Sequence, residues 1–374
     1  MFSLPISFFR VVNTDVFSIG TGFNNIVYWT ELNPSDQKLY CVGTFTTYGG
    51  ASSARIVRLN TNGSRDTSFA VGTGLSSDVL VVKVQPSDSK VLVGGFFTAY
   101  NGSTANRIVR INTDGTIDGS FNTGTGFDNA VYTIDVQTDG KIICAGQFLN
   151  YNGTAINRII RLNTDGSIDG SFAVGTGFGG QVYMVKIQPD GKILVGGFFT
   201  SYNGVTKNGI LRLNTNGSID GTFGGTGSNL GVNNITLQPD NKIILTGSFT
   251  SYSGNARNRI VRVNSDGTID GTFTIGTGLN STGLFTALQA DGKILVGGNF
   301  TSFNGVAARN YIVRLNTDGT HDATFNMGTG FGDIVQSITV KPDTKVYIGG
   351  RFTTYKGLVR NRLVRILSDG TLSS

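Results

Sequence analysis

Gly124-Thr125-Gly126-Phe127 opens a unit that continues through Ala130-Val131-Tyr132-Thr133-Ile134-Asp135-Val136-Gln137, Thr138-Asp139-Gly140 and Lys141-Ile142-Ile143-Cys144-Ala145-Gly146-Gln147-Phe148. Ala130–Gln137 reads as a strand (A), Thr138-Asp139-Gly140 as a tight turn with Gly at positive φ, and Lys141–Phe148 as an apolar second strand (B). Tyr151-Asn152-Gly153 begins a longer loop. Arg158–Leu162 is a third strand (C), Asn163-Thr164-Asp165-Gly166 turns the chain again, and Ser167–Phe172 is a short fourth strand (D). The opening Gly-Thr-Gly returns at Gly20, Gly72, Gly124, Gly175, Gly225, Gly276 and Gly328, at intervals of 50 to 52 residues. A repeat of this length built from short strands and tight turns is the signature of a β-propeller, one blade per copy.

The expected architecture is therefore all-β: a seven-bladed β-propeller of four-stranded antiparallel blades, forming a single domain over residues 1–374 with blades starting near 20, 72, 124, 175, 225, 276 and 328. Closure is legible at the ends. The last copy runs through Arg362–Ile366 and Ser368-Asp369-Gly370 but stops before a full strand D. Thr14-Asp15-Val16-Phe17 matches the strand D of other copies, such as Asp118-Gly119-Ser120-Phe121. Residues 1–19 are expected to complete the seventh blade and remove two exposed sheet edges.

Composition agrees with a strand-and-turn protein. Glycine is abundant at 54 residues, proline is scarce at 6, and Glu31 is the single glutamate, so strong helix formers are thin. The net charge of +6 comes largely from repeated positions (Arg58, Arg110, Arg161, Arg212, Arg262, Arg314, Arg365) spread around the ring rather than gathered on one face. No nucleic-acid partner is expected on that pattern. Cys41 and Cys144 occupy the same place in copies one and three, too far apart for a disulfide, and read as buried apolar side chains. No stretch is long and apolar enough to span a membrane as a helix, so no membrane insertion is expected. Met1–Arg10 lacks a basic n-region and a small-residue cleavage site, and export by an ordinary signal peptide is not expected.

Most chemical constellations dissolve into scaffold. Asn163–Asp169 resembles a calcium loop in outline, but Asn62 and Asn216 replace the central Asp in two copies and no Glu closes any of them. A hairpin turn with Asx hydrogen bonds is the better reading. The Arg of strand C and the Asp of strand D (Arg161 and Asp169, Arg212 and Asp220) are expected to pair within each blade. A ring of Arg facing the channel to bind an anion is the alternative. His321 is the only histidine and stands where other copies carry Ile, so no triad, metal site or acid/base pair assembles. The chain is expected to be non-enzymatic, with no catalytic residues, no metal and no cofactor.

Recognition is expected on the variable polar loops after Gly-Thr-Gly and after Tyr-Asn-Gly, which emerge on one face. Tyr48, Tyr100, Tyr151, Tyr202, Tyr252, Phe303 and Tyr355 open the B–C loops there and are candidates for stacking on a glycan or anchoring a partner. Local packing is their bland reading. Phe23 and the unrepeated Trp29 join them as candidates.

The unit Asp190-Gly191-Lys192-Ile193-Leu194-Val195-Gly196-Gly197-Phe198-Phe199, continued by Tyr202-Asn203-Gly204, Leu211-Arg212-Leu213-Asn214 and Gly217-Ser218-Ile219-Asp220-Gly221-Thr222-Phe223, resembles the delta-sixty repeat. The likeness covers residues 15 to 372. That family of propeller-forming repeats occurs in large bacterial surface or secreted proteins and in some phage virion proteins, and it brings no catalytic residues to transfer. The double Gly also resembles kelch repeats, but their accompanying Tyr and Trp are missing. The resemblance implies a virion or extracellular setting. The expected role is a structural or interaction propeller of a phage virion, in the tail or an appendage, with other virion or cell-surface proteins as partners. A glycan-binding adhesive propeller on a bacterial cell surface is the competing reading.

Overall fold

Each copy folds into a three-stranded antiparallel ladder in the order A-B-C, with a small ribbon between B and C. The structure, a computed structural model, describes residues 16–373, and these form strands and turns but no helix. In the third blade the strands are Val131–Val136, Ile142–Gly146 and Ile159–Leu162, and the ribbon pairs Asn150–Tyr151 with Thr154–Ala155. The first five residues of strand B are buried in all seven blades, because neighbouring blades cover both of its faces. That is why it reads as an unbroken apolar run. The A strands stand beside one another around the axis, the last (Val335–Val340) against the first (Val27–Leu32).

The fourth strand is shorter than the sequence reading suggested. Ser167–Phe172 contributes one bridge, Leu162 to Ile168. Asp169 Oδ1 then accepts from both the backbone N–H (3.0 Å) and the hydroxyl (2.7 Å) of Ser171, and this Asx turn pulls the chain out of the extended conformation.

The ring closes by sharing the seventh blade between both ends of the chain. Leu372 bridges Ile366, and Arg365 Nε donates to Ser373 Oγ at 3.0 Å, the place taken by Asp169 against Arg161. Phe17 then supplies the aromatic ring 4.9 Å from the Arg365 guanidinium, as Phe172 does for Arg161 at 4.8 Å. Asn361 Nδ2 donates to Thr21 O (2.8 Å), and Thr30 and Thr339 hydroxyls meet at 2.7 Å across the same seam. Thr14 and Asp15, the other half of the expected closing segment, lie outside the described residues.

The glycine pair has two separate causes. A Cβ on Gly94 would lie 2.9 Å from Val131 Cγ1 of the following blade, so the first glycine answers close approach of a neighbour, as expected. A Cβ on Gly146 would collide with the carbonyl oxygen of Ala130 in its own blade. That carbonyl is brought in by a β-bulge at the second residue of strand A, where the register shifts between Val131 and Thr133. Every blade carries this bulge, and every blade has glycine at the second position of the pair. A bulge re-aims the extra residue and bends the strand. Here it turns one side chain per blade toward the mouth of the axis.

Candidate functional site

The repeated aromatics of the B–C loops are core residues. Tyr48, Tyr100, Tyr151, Tyr202, Tyr252, Phe303 and Tyr355 are at most 4% exposed, and Tyr202 donates its hydroxyl to Gly217 O at 2.6 Å. The other tyrosines make the equivalent bond. Burial pushes their phenol pKa values up, so they remain donors. Phe23 is equally buried, 4.6 Å from Tyr48 and 4.5 Å from Phe45. None of these rings offers a face to a ligand, which corrects their candidacy. Trp29, by contrast, is half-buried and reaches the axis.

The repeated Arg side chains are clasps between blades and do not face the channel. Arg161 Nε meets Asp169 Oδ2 at 2.6 Å, Nη2 donates to Ser171 Oγ at 2.9 Å, and Nη1 donates to Thr215 O of the next blade. Lys141 adds a second cation to the same carboxylate oxygen at 2.9 Å. Burial alone pushes the Asp169 carboxyl up, but hydrogen bonds from Lys141, Ser171 and Arg161 overcompensate and hold it well below the ordinary range. The same arrangement recurs in the first six blades. Asp165 Oδ1 is occupied by its own turn, accepting from Ser167 N at 2.9 Å and Oγ at 2.7 Å, and Asn216 does the same for Ser218. That shared duty explains why Asp and Asn interchange. His321 bridges Leu315 at a blade edge, and both cysteines are free and fully buried.

Two sets of residues that differ from blade to blade line the axis. At equivalent register positions the A strands of blades one to four carry Glu31, Lys83, Asp135 and Lys186; Thr236, Ala287 and Thr339 follow in blades five to seven. Lys83 Nζ bridges Glu31 (3.5 Å) and Asp135 (3.3 Å). Glu31 above all raises the Lys83 pKa, against the opposing effect of burial and with help from Asp135. This charged end of the channel opens toward the A–B turns.

The other end opens among the D–A loops and B–C ribbons, which pair with one another on that face (Phe127 with Tyr151, Phe178 with Tyr202). Its depression of about 370 Å3 takes in all seven bulge residues: Tyr28, Leu80, Tyr132, Tyr183, Asn233, Leu284 and Gln336. Trp29, Phe96, Asn234 and Phe285 complete the lining, and no charged side chain belongs to it. Trp29 packs against residues of several blades and meets Phe285 edge-on at 5.2 Å, so its indole lies across the axis and separates this depression from the charged half behind it. The lining is lopsided. Leu80, Phe96, Tyr132 and Tyr183 make one wall apolar, and the exposed Phe198 extends it. Asn233 and Gln336, on either side of Leu284, supply the polar groups of the remaining lining. Tyr132 and Tyr183 lie 5.9 Å apart and are held by hydroxyl bonds to Gln147 (2.7 Å) and Gln181 (3.1 Å).

A closed ring of seven like blades around a central axis defines a β-propeller. Seven matches to one family model, the β-propeller domain of unknown function DUF5122, fall at residues 35–69, 87–121, 137–172, 188–223, 238–273, 289–325 and 341–372. They take in more than half of the chain, and the protein belongs to that family. Six of the matches end on the Phe beneath an Arg clasp; the seventh ends at Leu372, where Phe17 takes over. No curated protein sequence matches the chain. The solved WD40 β-propeller domain of Doa1 is similar in fold, with a TM-score of 0.63 and 15% identity over 94% of this chain and 95% of that one. The extracellular domain of the putative one component system BT4673 from B. thetaiotaomicron gives 0.55 and 15%, over 90% of this chain and 39% of that one.

Proposed function

We propose that this chain is a non-catalytic recognition propeller that presents the bowl on its loop face to a partner or ligand. One observation carries the reading: positions repeated in every blade are consumed by packing, turns and clasps, whereas the residues lining the axial mouth differ from blade to blade and stay accessible. Binding sites characteristically combine a rigid scaffold, an apolar concavity and a few convergent polar groups. The setting we propose is a phage virion, in a tail or appendage, with other virion proteins as neighbours. The resemblance to delta-sixty repeats and the helix-poor, Gly/Asn/Thr-rich make-up support it. Recovery of the chain in purified virions is the expected result. Recovery only in a bacterial envelope fraction would replace that setting with the second reading, an adhesive propeller on a cell surface.

A further inference from the structure

We infer that the bowl takes a neutral saccharide, seated with a sugar ring against Tyr132 and Tyr183; this rests on the reading of the bowl as a recognition surface. A pyranose is amphipathic in a particular way. Its C–H face is apolar and flat, while its rim carries hydroxyls that both donate and accept. The bowl offers the matching pair of surfaces. Tyr132, Tyr183 and Phe96 form a half-buried aromatic wall, with Phe96 38% exposed and 6.3 Å from Tyr132. Tyrosines held by hydroxyl bonds lose little conformational freedom when a ligand arrives. Across the axis from them stands Gln336 of blade seven, and Asn233 follows Tyr183 on the next blade, primary amides able to donate and accept on the same hydroxyl. The absence of charge from the lining disfavours anionic or cationic ligands. The volume of about 370 Å3 lies near the small end of the range of about 300–1,000 Å3 typical of small-molecule sites. That suits a short glycan terminus. A folded partner needs a footprint of roughly 800 Å2 on each side.

The chain carries one tryptophan, and it forms the floor of this bowl, so its emission reports occupancy. The full chain is titrated with neutral gluco-, manno-, galacto- and N-acetylglucosamine oligosaccharides, with sialylated and hexuronate oligosaccharides as the charged arm. The expected result is a saturable change in Trp29 emission with at least one neutral sugar, weakened tenfold or more in Tyr183→Ala and in Tyr132→Ala. Denaturation curves of the variants establish that they fold, and Gln336→Leu, at a half-exposed position, tests the amides separately with an expected loss of fivefold or more. The proposal is overturned if only charged sugars or peptides bind, if no neutral sugar binds, or if binding survives in both tyrosine variants. An intact virion association alongside any of those results would leave the recognition reading standing and remove the sugar alone.

Discussion

Replacing Arg161 by Leu tests the clasp that ties one blade to the next. The side chain is 6% exposed, and it makes a charge-assisted bond to Asp169 (2.6 Å), a bond to Ser171 Oγ (2.9 Å), a bond to Thr215 O, and a stack on Phe172 at 4.8 Å. Removing one partner of a buried ion pair costs about 3–5 kcal/mol, because the other charge stays behind in a poorly solvated place. Here Lys141 remains on the same carboxylate oxygen at 2.9 Å, and two Ser171 bonds persist on the other oxygen. The loss should therefore fall at the low end, about 3 kcal/mol, a shift of roughly 150-fold in the folding equilibrium at 25 °C. Equilibrium unfolding in guanidinium chloride, followed by Trp29 emission and by circular dichroism, reads it as a lower midpoint with unchanged slope. Combined with Asp169→Asn, the cycle should return a coupling of about 1.5 kcal/mol or more. A loss under about 1 kcal/mol, or strictly additive variants, refutes the assignment of the clasp as the inter-blade tie.

Three further outcomes follow from the same geometry. Asp66, Asp118, Asp169, Asp220, Asp270 and Asp322 have carboxyl pKa values depressed below the ordinary 3.8 by bonds that outweigh their burial. Their stabilisation is full above that value and drains as pH falls through it toward the folded-state values, so melts should hold from pH 7 to 5 and drop steeply below about pH 4; a flat Tm down to pH 2 would contradict this. Phe303 is the one ribbon aromatic lacking the hydroxyl that its six equivalents donate to a glycine carbonyl, so Phe303→Tyr should stabilise by about 1 kcal/mol, read as a raised Tm. Thr344 holds φ of 69° in the A–B turn where Gly191 holds 81°, so Thr344→Gly should stabilise by roughly 1 kcal/mol in denaturant titration.

The fold was legible because turn chemistry and apolar runs recur in phase: Asp139-Gly140, Asn163-Thr164-Asp165-Gly166 and the strand-B run each specify their own local structure. Strand D was overestimated, since the Asp-x-Ser/Thr sequence that looks extended forms an Asx turn at Asp169. The bowl was harder to see. A bulge leaves no residue signature in strand A itself, where the extra residue is Tyr in three blades and Leu, Asn or Gln in the others. A signal did exist in strand B. The second glycine is present in all seven copies, whereas the first is replaced by Val42, Ala145 and Thr246, and only a carbonyl pressed against the backbone demands such uniformity. The ribbon aromatics were ambiguous: recurrence in every blade pointed to packing and their loop position to recognition, and the burial of the rings, with the tyrosine hydroxyls turned inward, decides for packing.

One paired comparison separates scaffold from recognition most directly. Tyr202→Ala and Tyr183→Ala delete the same side chain from one blade, at a repeated buried position and at an unrepeated bulge. Measured for both unfolding midpoint and capture on a panel of immobilised glycans, Tyr202→Ala should lose about 3–5 kcal/mol of stability, the cost of emptying a core aromatic site. Tyr183→Ala should lose less than about 1.5 kcal/mol and abolish capture. The reverse pattern, with the bulge tyrosine holding the fold and the ribbon tyrosine holding the ligand, would contradict the account.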